Sequence, residues 1–333
     1  MPSVITEVTV ESATDGDVIV TWDVEGQPVA VSISTGHSPD GTDHAPVATA
    51  SAGETSVRLS GLGPGRHYVS LSCEPGGAVL VASDRRVAFE GVTNFRDLGG
   101  YPTSSGGRTR WGRVFRADAL HGLSQSDVES YASLGLRVVF DLRGDQERAE
   151  RPNPVRSRSV PLESRGREDP AGTPQMAVTA DTVEEGERFL AQLYLGHLEH
   201  GAARIGEIFT ALASPDSVPA VFHCHGGKDR TGIVAALLLE LLGVNRSIVL
   251  DDYQLTARYR RRTQQEGSFR RLLDSGMAPD AAAAVLTTPR WAMDDALTML
   301  DTVHGGIDAF LLGPGGMTQS DLAGVRRLLV SQT

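Results

Sequence analysis

Residues 218–244 have the sequence VPAVFHCHGGKDRTGIVAALLLELLGV. The apolar run PAVF predicts a strand, Gly226 and Gly227 predict a tight loop, and an apolar helical pattern follows over 231–242. Short apolar runs separated by longer segments of helical period also occur elsewhere after residue 90, which is typical of an α/β domain. The segment therefore predicts a strand, a loop and a helix within an α/β fold.

The loop of this segment has the composition of an anion site. Cys224 closes the predicted strand and Arg230 opens the helix, with five residues between them. Such a loop can curl so that its N–H groups point inward, toward the positive end of the helix dipole. Gly226 and Gly227 suit it because glycine tolerates positive φ and leaves room for a ligand beside the amides. We therefore predict that the loop binds a phosphate-like anion.

Two side chains of the loop add chemistry to this anion site. The guanidinium of Arg230 can clamp two oxygens of a phosphate at once. A thiol at a helix N-terminus beside cations is largely ionised at neutral pH. A thiolate that faces a bound phosphate is a nucleophile in position, so Cys224 is the predicted nucleophile.

The residues HCHGGKDRTG, 223–232, resemble the signature of the protein-tyrosine phosphatase superfamily. The resemblance implies a phosphatase that forms a phosphocysteine on Cys224, with Arg230 and the backbone amides of the loop holding the phosphoryl group. It also implies that Thr231 hydrogen-bonds the Cys224 sulfur and that His223 orients the loop. The residues expected to contact the substrate are therefore His225, Gly226, Gly227, Lys228, Thr231 and Asp141.

The general acid has several candidates. GKDRT resembles the secreted mycobacterial tyrosine and lipid phosphatases and the myotubularins, and this resemblance implies that Asp229 is the acid. Asp141 is the second candidate. The third is Asp169 or Asp181, on a long Pro/Gly/Arg-rich loop predicted over 163–181. Lys228 has two interpretations, a contact with a second substrate phosphate or a solvated loop lysine.

The resemblance extends over most of residues 90–333. The upstream elements that carry it are NFRDLGG at 94–100, FRADAL at 115–120 and VVFDLRGDQE at 138–147, and IDAFLL at 307–312 belongs to the C-terminal helices. In the family, the Asp of the DLR element approaches the site, which makes Asp141 a candidate for substrate binding. Arg143 and Glu147 are expected to form a structural ion pair, and we expect structural roles for Asn94, Arg96 and Asp97.

The first part of the chain has a different pattern. Apolar residues alternate with polar ones at Val18, Val20 and Trp22, and clusters of Gly, Pro, Asp or Ser separate such runs. This pattern predicts an antiparallel sandwich. LSGLGPGRHYVSL, residues 59–71, resembles the fibronectin type III pattern, which implies an immunoglobulin-like fold.

We therefore expect two domains. An all-β immunoglobulin-like sandwich covers 1–89, where it stabilises the chain or docks a protein partner. An α/β phosphatase domain with a central mixed sheet flanked by helices covers 90–333. Within it we predict helices over 124–134, with Ser124 as N-cap, and over 184–212, and a strand over 138–142.

Composition limits the classes of function. The 333 residues are 40% apolar and 22% charged, as in ordinary globular proteins, and the formal net charge of −11 disfavours nucleic acid as a partner. Cys73 and Cys224 are too few and too far apart in sequence for a disulfide framework. The start, MPSVITEVTV, lacks a basic segment followed by a long apolar run, so we expect a cytoplasmic protein with no transmembrane segment.

We expect no metal and no organic cofactor. His223, Cys224 and His225 are consecutive, so a strand would turn them to opposite faces, and no second Cys or His cluster has ligand spacing. Residues 163–195 and 258–286 exceed what a minimal domain of this fold requires, and they are candidates for a lid. The run RYRRR at 258–262 is expected to be solvated, with a basic face for acidic lipid headgroups as the alternative.

Four functions fit these features. The first is hydrolysis of protein phosphotyrosine, with or without phosphoserine and phosphothreonine, and the second is the same chemistry on a phosphoinositide, suggested by Lys228. A module that binds phosphorylated ligands without turnover is the third, although the complete set of Cys224, Asp229, Arg230 and Thr231 argues against it. A sulfur- or arsenate-transferring enzyme is the fourth, and the GKDRT continuation favours phosphate over it.

Overall fold

A computed structural model describes residues 3–331 of the chain apart from 14–15, 64, 164–179 and 261. The chain divides into two compact units. One contains Met1–Val87, Arg96–Gly100 and Arg110–Arg113, and the other contains Ala88–Phe95, Tyr101–Thr109 and Val114–Thr333. The domain boundary at residue 89 stays a prediction. Between residues 88 and 114 the chain passes several times from one unit to the other.

The first unit is rich in antiparallel strands. They are β1 (Val4–Ser12), β2 (Val18–Glu25), β3 (Val31–Gly36), β4 (Ala45–Ala50), β5 (Ser56–Leu59), β6 (Tyr68–Cys73), β7 (Leu80–Ser83) and the short β8 (Arg96–Asp97). One sheet has the order β1-β2-β5 and the other the order β4-β3-β6-β7. The predicted period of two in β2 is confirmed, because Val18, Val20 and Trp22 are buried and the residues between them are exposed.

Both sheets of this unit contribute to one hydrophobic core. It contains Val20 and Trp22 from the first sheet and Val31, Ile33 and Leu71 from the second, each at most 3% exposed. Burial of such side chains stabilises a fold by roughly 1.5–3 kcal/mol each. The polar faces of β1 and β2 are left outside, as expected for sheets that cover a core on one side only.

The strands of the second unit are mainly short and parallel. They are β9 (Arg108–Thr109), β10 (Val114–Ala117), β11 (Val138–Asp141), β12 (Arg158–Ser159), β13 (Ala220–His223) and β14 (Val330–Ser331). Four of them lie side by side in the order β12-β11-β13-β10, and the pairs within this set are parallel. β14 pairs with β9 antiparallel. All four residues of β13 are fully buried, which its uninterrupted apolar composition predicts for a strand between two others.

Helices surround this sheet. They are α1 (Asp127–Ser133), α2 (Asp145–Glu150), α3 (Val183–Leu212), α4 (Asp229–Leu241), α5 (Arg246–Tyr259), α6 (Arg262–Asp274), α7 (Pro279–Leu286), α8 (Arg290–His304), α9 (Ile307–Leu312) and α10 (Gln319–Leu329). The long α3 contacts α4, α7, α8, α9 and α10, and its N-terminus has a capping box made by Thr182 and Glu185. No helix in the described part of the chain is both long enough and apolar enough to cross a membrane.

The predicted elements after residue 120 exist, with shifted ends. The predicted strand over 138–142 and the helices over 184–212 and 231–242 agree with β11, α3 and α4 to within about two residues. The predicted N-cap of α1, Ser124, is wrong by two residues, because the N-cap is Ser126 and the helix begins at Asp127. The physical reason is Asp127, whose carboxylate accepts the N–H groups of Ser124, Glu90 and Gly91 and holds the preceding residues outside the helix.

Candidate active site

Cys224 lies where β13 ends, and α4 begins at Asp229. In register with the last residue of β13, His223, are Asp141 at the end of β11 and Ala117 at the end of β10. The carboxyl ends of three parallel strands therefore meet beside Cys224, which is the usual position of a ligand site in such a sheet. Cys224 is a free thiol and is 3% exposed. Residues 224–230 are the loop that the sequence predicts to bind phosphate, and we refer to them as the phosphate loop.

Gly227 has a conformation that only glycine adopts readily. Its φ is +64°, and a Cβ at this position would lie 2.8 Å from the carbonyl oxygen of Ala117 and 2.8 Å from Nδ2 of Asn94. Asn94 Nδ2 and Arg116 Nη2 each donate a hydrogen bond of 3.0 Å to the Gly227 carbonyl. These two hydrogen bonds hold the backbone of the loop at Gly227. The expected structural role of Asn94 agrees with this geometry.

A buried ion pair supports this contact. Arg116 Nη1 donates to Asp252 Oδ2 at 2.6 Å, and both side chains are 1% exposed. The hydroxyl of Tyr101 donates to the other carboxylate oxygen of Asp252 at 2.9 Å. Arg116 lies in the FRADAL element, for which the sequence predicted no specific role. The sequence did not indicate a role for Asp252 on α5.

Arg230 is held by a carboxylate that sequence reasoning assigned to another partner. Arg230 Nη1 and Nη2 donate to the two oxygens of Glu147 at 2.5 and 2.8 Å. Burial acts to raise the pKa of Glu147, but the hydrogen bond and charge of Arg230 outweigh it and lower this pKa to about 2. The predicted pair of Arg143 with Glu147 is wrong, because Arg143 instead donates to Asp141 through two nitrogens, at 2.9 and 2.7 Å.

Asp141 belongs to a buried network behind the phosphate loop. Its carboxylate is 1% exposed and accepts hydrogen bonds from Arg143 and from Nδ2 of Asn153, the latter at 3.0 Å. The same Asn153 nitrogen lies 3.0 Å from Nε2 of His223, whose Nδ1 lies 3.1 Å from the carbonyl of Cys224. Burial lowers the pKa of His223 to about 4. A neutral ring that accepts at Nε2 and donates from Nδ1 to the Cys224 carbonyl satisfies all these contacts.

Asp229, in the first turn of α4, has partners from two other helices. Its carboxylate accepts a hydrogen bond of 2.8 Å from the hydroxyl of Tyr194, which in turn lies 2.5 Å from the hydroxyl of Tyr253. Lys228 Nζ lies 3.1 Å from the same carboxylate oxygen. Burial raises the pKa of Asp229, but Lys228 and Tyr194 together hold it below its usual value. Tyr194 and Tyr253 carried no motif that sequence reasoning could have used.

Lys228 is buried, not solvated, with only 3% of its surface exposed. Its ammonium donates to the carbonyls of Val285 and Thr287, at 2.5 and 3.0 Å, and contacts Asp229. Three N–H donors thus meet three acceptors, which is the full capacity of an ammonium group. Burial lowers the pKa of Lys228, and Asp229 opposes that effect. The interpretation of Lys228 as a solvated loop lysine is therefore wrong.

Thr231 and His225, near the two ends of the phosphate loop, differ in their exposure to solvent. The Thr231 hydroxyl is fully buried and donates to the Ala117 carbonyl at 3.5 Å. His225 is partly exposed, and its Nε2 lies 3.0 Å from Nη2 of Arg271 on α6. Burial and the charge of Arg271 lower the pKa of His225 to about 4, so the ring is neutral and Nε2 accepts this hydrogen bond.

The remaining acid candidates lie elsewhere. Asp181 is exposed beside the N-terminus of α3, where its N–H donates to Glu185 at 2.7 Å. Asp169 lies outside the described residues, as does most of the proposed long loop. His197 on α3 is a further titratable group close to Arg230 of the phosphate loop. It is buried, and burial together with the charge of Arg230 lowers its pKa to about 4.

Among the residues with described positions, no three His, Cys, Asp or Glu side chains come together in a way that could hold a metal ion. Among the described charged groups near Cys224 are Arg230 and Lys228, two cations that are each paired with a carboxylate. This arrangement can hold an anion against a thiol and move a proton through Asp229.

Comparison with known proteins gives concordant matches. A family model described as the tyrosine phosphatase family matches residues 87–331. The chain is 28% identical over 239 residues to a Cupriavidus necator protein with the name putative tyrosine-protein phosphatase. This match covers 70% of this chain and 85% of that protein. It is 31% identical over 144 residues to a tyrosine-protein phosphatase of Nostoc commune, covering 43% of this chain and 48% of that protein. It is 26% identical over 281 residues to the triple specificity protein phosphatase PtpB of Mycobacterium tuberculosis, covering 72% and 97%.

Proposed function

Because the chain belongs to the tyrosine phosphatase family, we propose that it hydrolyses phosphomonoesters, above all protein phosphotyrosine, through a phosphocysteine intermediate on Cys224. The observation that carries the proposal is the phosphate loop itself. Cys224 directly follows a buried strand, Arg230 lies in the first turn of α4, and Gly227 turns the backbone between them with a positive φ. We infer that loop amides and the N-terminus of α4 face the same point as the thiol.

In the first step the Cys224 sulfur attacks phosphorus. A sulfur–phosphorus bond forms while the bond from phosphorus to the ester oxygen breaks, and Asp229 gives its proton to the departing oxygen. The loop amides and Arg230 stabilise the charge on the other three oxygens. In the second step Asp229 takes a proton from water as the water attacks phosphorus, which releases inorganic phosphate and the thiolate.

The geometry of Arg230 supports its assigned role. Glu147 takes one N–H from each Nη nitrogen, and the Leu142 carbonyl lies 3.4 Å from Nη1. A guanidinium has five N–H donors, so Nε and the remaining hydrogen of Nη2 have no partner among the described residues. These two donors are parallel and match two oxygens of a phosphate. Glu147 is thus proposed as the residue that positions Arg230.

Asp229 as the acid needs a proton at the moment of reaction, although its pKa is held below the usual value. A phosphate dianion bound at the loop places negative charge beside this carboxylate, which raises its pKa and favours the protonated form. The hydrogen bond from Tyr194 orients the carboxylate. Asp141, by contrast, has its oxygens occupied by Arg143 and Asn153, so we propose that it positions the loop through His223 and does not contact substrate.

For Thr231 we propose that its hydroxyl rotates from the Ala117 carbonyl toward the Cys224 sulfur when the thiolate leaves in the second step. The backbone of His225, Gly226 and Gly227 is proposed to supply amides to the phosphate. The Lys228 contact with a second phosphate, on which the phosphoinositide alternative depended, has no support in this geometry because its three donors have protein partners.

The first unit is proposed to be an immunoglobulin-like sandwich that docks a protein partner of the enzyme. Its two antiparallel sheets around one core support the fold assignment. The division at residue 89 and a cytoplasmic location, where Cys224 stays reduced, belong to the same proposal.

The test is hydrolysis of an aryl phosphate without added metal, measured across pH for the wild type, Cys224→Ser and Asp229→Asn. We expect Cys224→Ser to abolish activity and Asp229→Asn to lower kcat by about 10²- to 10⁴-fold with loss of the basic limb of the pH profile. A Cys224→Ser variant as active as the wild type contradicts the mechanism. A wild type that binds the ester without cleaving it favours a binding module instead.

A further inference from the structure

Three arginines line a pocket of about 450 Å³ beside the phosphate loop. Arg151 follows the C-terminus of α2, Arg260 follows the C-terminus of α5, and Arg271 lies in the last turn of α6. His225 and Gly226 of the loop also line the pocket, as does His121. Among the described residues of its wall there is no carboxylate. The pocket is therefore strongly cationic in a chain whose net charge is −11.

Arg260 is the cation of this wall that packs against the backbone of the phosphate loop. A Cβ on Gly226 would lie 3.4 Å from Arg260 Nη2, so the guanidinium packs directly against the loop backbone. The side chain is only 9% exposed, and its buried Nε has no hydrogen-bond partner among the described residues. The expectation that the run 258–262 is solvated is thus wrong for this residue. A buried cation with an unused donor is costly unless an anion binds to it.

Arg271 faces the same pocket from α6. Its Nη2 donates to Nε2 of His225 at 3.0 Å and lies 3.1 Å from the hydroxyl of Ser268. Both bonds use one nitrogen, so Nε and Nη1 have no hydrogen bond within the described part of the chain. Because His225 is itself a loop residue, the contact fixes Arg271 beside the phosphate loop. Burial, Arg151 and Arg143 lower the pKa of His121, which shows the positive field in this pocket.

We propose that Arg260, Arg271 and Arg151 form a second anion subsite, which binds a phosphate of the substrate that does not react. This inference rests on the proposed function of the Cys224 site. Because His225 and Gly226 belong both to the loop and to the pocket wall, the two bound phosphates are close neighbours. A small polyol ring with phosphates on adjacent carbons presents two phosphates at short range, whereas phosphates on separate residues of a peptide lie farther apart.

The subsite replaces the role that sequence reasoning gave to Lys228. Lys228 lies on the same loop, but its donors hold α7 and Asp229. The arginines come from three other elements and have donors left to bind an anion. Selectivity for a second phosphate then depends on α5 and α6 and not on the loop sequence.

The experiment compares two substrates in the full-length protein. One is an aryl monophosphate, and the other is an inositol carrying phosphates on adjacent ring carbons. We expect Arg271→Gln and Arg260→Gln each to lower the ratio of kcat/KM for the second substrate over the first by about tenfold, since each removes charge-assisted hydrogen bonds to one phosphate. Arg270→Gln is the matched control, because this exposed neighbour on α6 does not line the pocket, and it should leave the ratio unchanged.

A ratio that is the same in wild type, Arg260→Gln and Arg271→Gln overturns the subsite. Binding to the inactive Cys224→Ser variant, measured by calorimetry, separates this result from failure of the proposed function. Tighter binding of the adjacent bisphosphate than of an inositol with phosphates on opposite carbons, lost with Arg271→Gln, supports the subsite even if the wild type has no turnover. Equal affinity for both isomers contradicts it.

Phosphates on adjacent carbons of an inositol ring occur both in free inositol phosphates and in the headgroups of phosphorylated lipids. Two further arms of the calorimetry distinguish these sources. A soluble short-chain lipid with the same headgroup that binds as tightly as the free inositol phosphate shows that the headgroup alone is recognised. Tighter binding of the lipid, still dependent on Arg271, shows that the subsite works within a lipid site.

Discussion

At the scale of single residues, Gly227 shows how one backbone conformation controls the site. Its positive φ turns the loop, and its carbonyl accepts hydrogen bonds from Asn94, which precedes β8, and from Arg116 on β10. Gly226, next to it, has neither a positive φ nor a contact closer than 3.4 Å for an added Cβ. The two glycines of one loop therefore have different tolerances, although the sequence presents them as equivalent.

Gly227→Ala is expected to destabilise the fold by about 1–3 kcal/mol, because alanine is strained at this φ and its Cβ would meet backbone at 2.8 Å. Gly226→Ala, the matched control, should cost clearly less. The measurement is the free energy of unfolding from denaturant titration. Equal losses for the two variants would show that the backbone of the loop is not constrained as described.

At the scale of elements, α5 supports the loop from a distance in sequence. Asp252 on this helix forms a fully buried pair with Arg116, while its neighbour Asp251 forms a pair with Arg290 in which the Asp251 side chain is 64% exposed. A buried pair that loses one partner leaves an uncompensated charge, whereas an exposed pair is screened by water. Two adjacent residues of one helix thus contribute very differently to stability.

Asp252→Asn should lower the free energy of unfolding by about 3–5 kcal/mol, since Arg116 would keep its charge without a carboxylate. Asp251→Asn is the control, with an expected loss of about 0–1 kcal/mol. Thermal and chemical unfolding of both variants measure the difference. A loss for Asp252→Asn as small as that of its neighbour would mean that the buried pair contributes little.

The helix α3 also lowers the proton affinity of Asp229, through the hydroxyl of Tyr194. Tyr194→Phe removes a hydrogen bond that lowers the pKa of Asp229, so this pKa should rise. If Asp229 is the acid, the basic limb of kcat against pH then moves to higher pH. Tyr253→Phe is the control, because Tyr194 keeps its bond to the carboxylate. A basic limb that does not move in Tyr194→Phe argues for another acid.

At the scale of the whole molecule, stability is coupled to pH through buried histidines. Burial lowers the pKa of His197, His223 and His225 to about 4, from an ordinary value of 6.5. Between these two values the unfolded chain binds protons that the folded chain excludes, so stability rises with pH there. Three carboxylates of the site act in the same direction at lower pH, because the pKa values of Asp141, Glu147 and Asp229 are all lowered.

The melting temperature should therefore fall steadily as the pH decreases from about 6.5 to about 4, and change little just above that range. His197→Gln removes one of the three groups and should flatten the slope. Calorimetry in buffers of constant ionic strength measures both proteins. A wild-type melting temperature independent of pH over this interval contradicts the neutral, buried state of the histidines.

Much of the site follows from local sequence. The strand, loop and helix around Cys224, the two glycines and the spacing to Arg230 are all within residues 218–244, where short-range geometry specifies the conformation. The family was predictable for the same reason. The period of two in β2 and the helical period in α3 likewise predicted elements that the structure contains.

Only the tertiary structure decided which side chains meet at that loop. Glu147 binds Arg230 and not Arg143, Lys228 binds the end of α7, and Arg260 packs on Gly226. Each partner is separated from the loop by tens of residues, and its position depends on how whole helices pack against the sheet. That packing is driven by hydrophobic burial, which is a non-directional force. A local sequence pattern therefore does not indicate which charged side chains the packing brings together.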